Sequence, residues 1–167
     1  MEAIKTTSLL DRVSLWIATG FGFGYSPKAP GTVGALWGIP LTWVVMQIPS
    51  VLIQIVVLAL LYAIGIPICT KAAQLIGKKD PGEVVWDEIA TVPIVFLFVE
   101  PRLISRPEVL LIGFLLHRVF DISKLWPINK LETLKDGLGI MTDDVLAGVY
   151  GCAAMHLLLW LWPWLSR

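Results

Sequence analysis

The chain has 167 residues, 56% hydrophobic and 16% charged, with thirteen basic residues balancing thirteen acidic ones. A soluble domain carries about a quarter of its residues as charges, so this composition, with a mean hydropathy of +0.76, points to an integral membrane protein. Zero net charge argues against a nucleic-acid partner, and Cys69 and Cys152, without any Cys-x-x-Cys spacing, exclude a zinc ribbon or a redox pair.

The length fits one domain over residues 1–167. Met1 to Lys28 is mixed and polar, and Met1 to Leu15, with Glu2, Lys5, Asp11 and Arg12, has no apolar core of the kind a signal peptide carries. From Ala29 to Thr70 no residue is charged, a run of 42. That is roughly 63 Å of helix, enough for two crossings of a hydrocarbon core about 30 Å thick. Ile48-Pro49-Ser50 divides the run and predicts helices over Val33–Gln47 and Val51–Cys69. A polar loop follows, Lys71 to Glu83. Ile89–Val99 is apolar but only 11 residues long, and Val109–Val119 is apolar again after two proline-centred turns. These two runs form either a pair of short crossings or a buried helical hairpin. Asp121–Asp144 reads as the longest polar connection and Val145–Ser166 as a final span. Trp160, Trp162 and Trp164 mark its exit at the headgroup level. The expected fold is therefore all-α, with roughly four to five apolar helices. Lysines in the tail and loops place the Lys71–Glu83 loop and the Arg118–Asp144 stretch on the cytoplasmic face, with Arg102 and Arg106 on the far side.

Three acidic signatures converge on that face: Trp86-Asp87-Glu88, Arg118-Val119-Phe120-Asp121-Ile122-Ser123-Lys124, and Thr142-Asp143-Asp144. Each is read at the boundary of an apolar run, where idle charges are expensive. Singly, Asp87–Glu88 and Asp143–Asp144 also fit helix starts, with Thr142 or Asp143 as N-cap. Together they offer only oxygen ligands, which suits a hard cation such as Mg²⁺. Arg118, Asp121 and Lys124 follow one helical stripe. It is either an intrahelical ion-pair ladder or a phosphate-binding pair flanking a metal-binding carboxylate. The glycine-rich stretch Gly20–Gly34 either brings backbone N–H groups to an anion or makes a tight turn into the membrane. His117 and His156 read as packing or interhelical hydrogen-bonding residues rather than catalysts.

Four motifs in this order resemble the phosphatidylglycerophosphatase A family: Ser26-Pro27-Lys28-Ala29-Pro30-Gly31-Thr32-Val33-Gly34, Val84-Val85-Trp86-Asp87-Glu88, Arg118–Lys124 with Pro127-Ile128, and Gly137–Gly148. The resemblance covers about Gly20 to Gly148. It implies an all-helical, Mg²⁺-dependent membrane phosphatase of the bacterial inner membrane. Its substrate would be phosphatidylglycerol phosphate and its active site would face the cytoplasm. Carried over, it implies Asp87, Glu88, Asp121, Asp143 and Asp144 as the acidic, metal-binding site. Asp87, Asp121 and Asp144 would be catalytic, and Lys28, Thr32, Arg118 and Lys124 would bind the substrate. The family pattern has Phe at His117, Pro at Leu125, and Gly at Thr91 and Asp136; no carboxylate is lost. Two other readings compete on the residues alone. One is a Mg²⁺-dependent phosphoalcohol transferase of lipid synthesis. The other is a cation transporter, which would hold its carboxylates near the bilayer midplane. Oligomeric state is left open by the sequence.

Overall fold

The computed structural model describes residues 8–131, 133–162 and 164, and all regular structure among them is helical. The first helix, α1 (Leu9–Ala18), lies in the tail that composition made look polar. Ser8 caps it in a reciprocal box: its hydroxyl accepts from the Asp11 N–H and the Asp11 carboxylate accepts from the Ser8 N–H.

The expected helix Val33–Gln47 is two helices, α2 (Pro30–Ala35) and α3 (Gly38–Met46), joined through Leu36 and Trp37. Pro40 has no N–H to give the Leu36 carbonyl, which takes the Ile39 N–H at 3.1 Å instead. Next, α4 runs from Val51 to Ile76, capped by Ser50 and ended by Gly77 in the left-handed region at φ 80°. It continues past the predicted end at Cys69 because Lys71 is no obstacle. Its ammonium reaches Asp11 of α1 at 2.9 Å.

The short apolar run becomes α5 (Trp86–Thr91) and a 3₁₀ stretch, Val92–Phe96. Together they span roughly 19 Å, too little to cross a bilayer. Val92, Val95 and Phe96 are fully enclosed, packed with Met46, Ile104 and Val109. The first of the two runs is thus enclosed, whereas Leu111, Leu115 and Val119 of the second are exposed. Pro101–Ile104 (α6) turns the chain into α7 (Pro107–Ser123), and α8 (Ile128–Leu131) follows.

The last helix, α9 (Asp136–Leu161), begins nine residues before the expected span at Val145. Gly137 and Gly139 looked like loop punctuation but are buried in the helix. The Gly137 N–H donates to Thr70 Oγ1 at 2.9 Å, and Tyr62 and Thr142 hydroxyls meet at 2.8 Å. Polar groups that would have ended an apolar helix are thus satisfied by α4.

Of the expected four to five apolar helices, two among the described residues have spanning length: α4 with a mean hydropathy of 2.6 and α9 with 1.5. The most apolar window of α4 is only 17% buried, and Leu52 stands 71% exposed. The core helix of a water-soluble protein hides such a surface.

Candidate active site

Three helices build most of one cavity of about 230 Å³, lined by Asp87 and Glu88 from α5, Arg118 and Asp121 from α7, and Asp143 and Asp144 from α9. Lys124, just past α7, and Asp80 in the loop before α5 complete its polar wall. Asp87 and Glu88 sit in the first turn of α5, as the helix-start reading expected. They are also buried, which a mere dipole role does not require. Asp143 and Asp144 do not start a helix. They are the eighth and ninth residues of α9, about 12 Å from its beginning. The boundary position inferred from the sequence is therefore corrected: this pair lies well inside an apolar helix. The reason is that the turn-like glycines before it continue the helix rather than break it.

The cationic stripe serves both of its readings at once. Arg118 Nη1 donates to Asp121 Oδ2 at 2.6 Å along α7 and to Glu88 Oε1 at 2.7 Å across to α5. The Lys124 ammonium lies 3.2 Å from Asp121 Oδ1 and 2.5 Å from Asp143 Oδ2. Six carboxylates, Asp80 among them, share this wall with two cations, Arg118 and Lys124. Burial pushes Glu88 up to about 7 although Arg118 draws it down, and burial beside Glu88 raises Asp87 as well.

Several polar atoms here have no hydrogen-bond partner among the described residues: Asp87 Oδ1, Glu88 Oε2, Asp143 Oδ1, Asp144 Oδ2 and Arg118 Nε. One carboxylate oxygen from each of Asp121, Asp143 and Asp144 falls within 4.8 Å of the others. Buried, unsatisfied oxygens with excess negative charge fit a hard divalent cation. Unlike these groups, Lys28 and Thr32 are absent from the cavity lining, where their neighbours Pro30 and Gly31 stand. A Cβ on Gly31 would lie 2.1 Å from Glu88 Oε1, so α2 contributes close backbone approach. The sequence reading missed Asp80; its signal was a carboxylate directly before Pro81-Gly82 on the same loop as Lys79. His117 has the packing and interhelical hydrogen-bonding place expected of it. His117 is fully buried, and its Nε2 donates to Thr91 Oγ1 at 2.9 Å while that hydroxyl donates to the Asp87 carbonyl at 2.7 Å.

A model of the phosphatidylglycerophosphatase A family matches residues 16–159. The chain belongs to this family. Phosphatidylglycerophosphatase A of Haemophilus influenzae is 40% identical over 148 residues, 88% of each chain. The Escherichia coli protein of the same name is 34% identical over 152 residues, 88% of this chain and 84% of its own. A relative from Bacteroides thetaiotaomicron, 37% identical over 150 residues, is named provisionally as a phosphatidylinositol-3-phosphatase. It covers 87% of this chain and 92% of its own. No solved structure matches. As a member of the phosphatidylglycerophosphatase A family the chain is a phosphatase.

Proposed function

We propose that the protein removes the terminal phosphate of phosphatidylglycerol phosphate at the cytoplasmic face of a bacterial inner membrane, yielding phosphatidylglycerol and inorganic phosphate. The observation that carries the reading is the cavity itself: buried carboxylates with unsatisfied oxygens beside an arginine and a lysine. Asp121, Asp143 and Asp144, with Asp87 and Glu88, would hold Mg²⁺. Such an ion, when bound, offsets phosphate charge and lowers the pKa of water. Arg118 has Nη1 committed to carboxylates while its Nε remains for a phosphate oxygen. Lys124 adds a point charge from the same wall and offsets charge that develops on the non-bridging oxygens. Whichever of Asp87 and Asp144 stands outside the metal's ligand set uses its unengaged buried oxygen to take the proton of the attacking water. The long exposed apolar face of α4 supports a membrane setting, with acyl chains outside and the headgroup in the cavity.

Purified protein tests this. Phosphate release is measured with phosphatidylglycerol phosphate and with phosphatidylinositol 3-phosphate, each with and without Mg²⁺. Turnover of the first, dependent on Mg²⁺, is expected. Preference for the inositol lipid would move the substrate to the other relative's class. Incorporation of glycerol phosphate into a nucleotide-activated lipid, without phosphate release, would favour the transferase. Carboxylates inside α9 weaken the positional argument against a cation transporter. Metal flux into vesicles without phosphate release would support that reading.

A further inference from the structure

Beyond the cavity, α1 and the loop after it carry an apolar surface that the described residues leave uncovered. Leu9, Val13 and Trp16 recur at helical spacing along one stripe, with Leu9 77% and Trp16 56% exposed. The other side of α1 is engaged: Asp11 binds Lys71 at 2.9 Å, and Leu15 packs against the cluster containing Cys69 and Ala72. The stripe runs on into a chain of edge-to-face rings. Trp16 meets Phe21 at 4.6 Å, and Phe21 and Phe23 meet Trp37 at 5.8 and 5.5 Å. Phe21 holds a left-handed backbone at φ 61°, a costly conformation for an aromatic residue, and its ring is 41% exposed.

The occupant of this surface follows from its place in the fold. Helix α1 is about 15 Å long, too short to cross a bilayer, and contains Asp11 and Arg12. It lies against the end of α4 that carries Lys71, just before Lys78 and Lys79. A short amphipathic helix at the end of an apolar span, continued by aromatic rings, has the make-up of an element lying in the headgroup layer. The exposed Lys28 adds charge that anionic headgroups complement.

This surface is wired to the cavity. The Ala18 carbonyl accepts the Val85 N–H at 2.8 Å. Gly24 backs so closely on the next segment that a Cβ would fall 2.0 Å from the Glu83 carbonyl oxygen. Residues 83–88 lead straight to Asp87 and Glu88. We propose that α1 and the Phe21–Phe23–Trp37 ring cluster form an interfacial anchor that docks in the headgroup layer and holds the cavity mouth at that depth.

Two experiments decide this, and only the second rests on the phosphatase reading. Spin labels at Val13→Cys and Phe23→Cys are compared in phosphatidylethanolamine–phosphatidylglycerol vesicles, with the labelled wild-type chain giving the background from Cys152. Relaxation by oxygen should exceed relaxation by a water-soluble nickel chelate at both positions. Nickel-dominated relaxation would place the surface in water, and shielding from both reagents would mean that protein covers it; either result overturns the anchor. In the second experiment Leu9→Ser, Val13→Ser and Trp16→Ser are combined. Turnover of long-chain substrate in vesicles should drop by about tenfold, while turnover of a monomeric short-chain substrate stays within about twofold. Equal losses on both, or none on either, would contradict the anchor. If the wild-type chain releases no phosphate at all, the phosphatase reading fails and the label result alone decides.

Discussion

Arg118 and Glu88, thirty residues apart in the chain, meet with Nη1 2.7 Å from Oε1. The two side chains are 11% and 12% exposed, so the pair joins α7 to α5 largely out of water. Removing one member of a buried pair strands the other charge. Arg118→Ala should therefore lower stability by about 3–5 kcal/mol. Arg118→Lys keeps the charge but loses the planar fork, and should fold with a raised KM. Chemical denaturation and steady-state kinetics on both variants check this. An Arg118→Ala protein as stable as wild type would show that the pair does not hold the two helices together.

Asp121 and Asp144 stand on different helices yet present oxygens to one point. Asp121→Asn and Asp144→Asn should each reduce phosphate release by at least about 10²-fold, the scale lost with one preorganised charge contact. Circular dichroism should show the helical content unchanged. Well-folded variants with near-normal turnover would remove the metal-site assignment.

Metal dependence carries its own pH signature. EDTA should abolish activity and Mg²⁺ restore it, with Mn²⁺ as a substitute among oxygen-ligand ions. Glu88, raised by burial to about 7, keeps a proton in the folded metal-free chain that the unfolded chain sheds from about pH 4.5. Its stabilising contribution is full below pH 4.5 and is lost as pH rises towards 7. Mg²⁺ displaces that proton, so its affinity should strengthen over the same window. Melting curves at pH 5 and pH 8, with and without Mg²⁺, test the sign. A metal-free protein with greater stability at pH 8 would contradict it.

Thr91 and His117 form the polar bridge beneath the acids. Thr91→Val leaves a buried imidazole N–H without its acceptor and should cost about 1–3 kcal/mol. Combining Thr91→Val with His117→Phe removes both partners and should recover much of that loss. A double-mutant cycle with no coupling would show that the hydrogen bond contributes nothing to holding α7 on α5.

Sidedness is testable with thiol chemistry. Cysteines at Lys79 and Lys130 should resist a membrane-impermeant reagent in intact cells and react after lysis. Rapid labelling of either position from outside would invert the proposed topology.

The acidic and basic residues of the cavity were legible because charge is conspicuous in so apolar a chain. Their depth was not. Gly137 and Gly139 carry the same letters whether they end a helix or let one pack closely, and only the approach of α4 decides. Pro40 and Pro67 were visible as possible kinks, but Pro67 stays inside the continuous α4, while near Pro40 the Leu36 carbonyl takes the Ile39 N–H. The amphipathic α1 was hidden by its charges. Asp11 looks like solvated tail until Lys71 is seen beside it. Lys28 and Thr32 belong to a motif whose cavity-lining members are Pro30 and Gly31. Arg102 and Arg106, which ran against the charge count, pair with Glu100 and Glu108.

The depth of Asp143 and Asp144 inside α9 gives the proposed reaction two separate exits. The lipid product remains anchored by its chains and must slide away laterally between helices. Inorganic phosphate is too charged to follow. It would leave along the polar loop Asp80-Pro81-Gly82 that lines the cavity. In an enzyme built this way, the two products depart in different directions. Salt and headgroup charge should act on the upward one, and acyl-chain length on the sideways one.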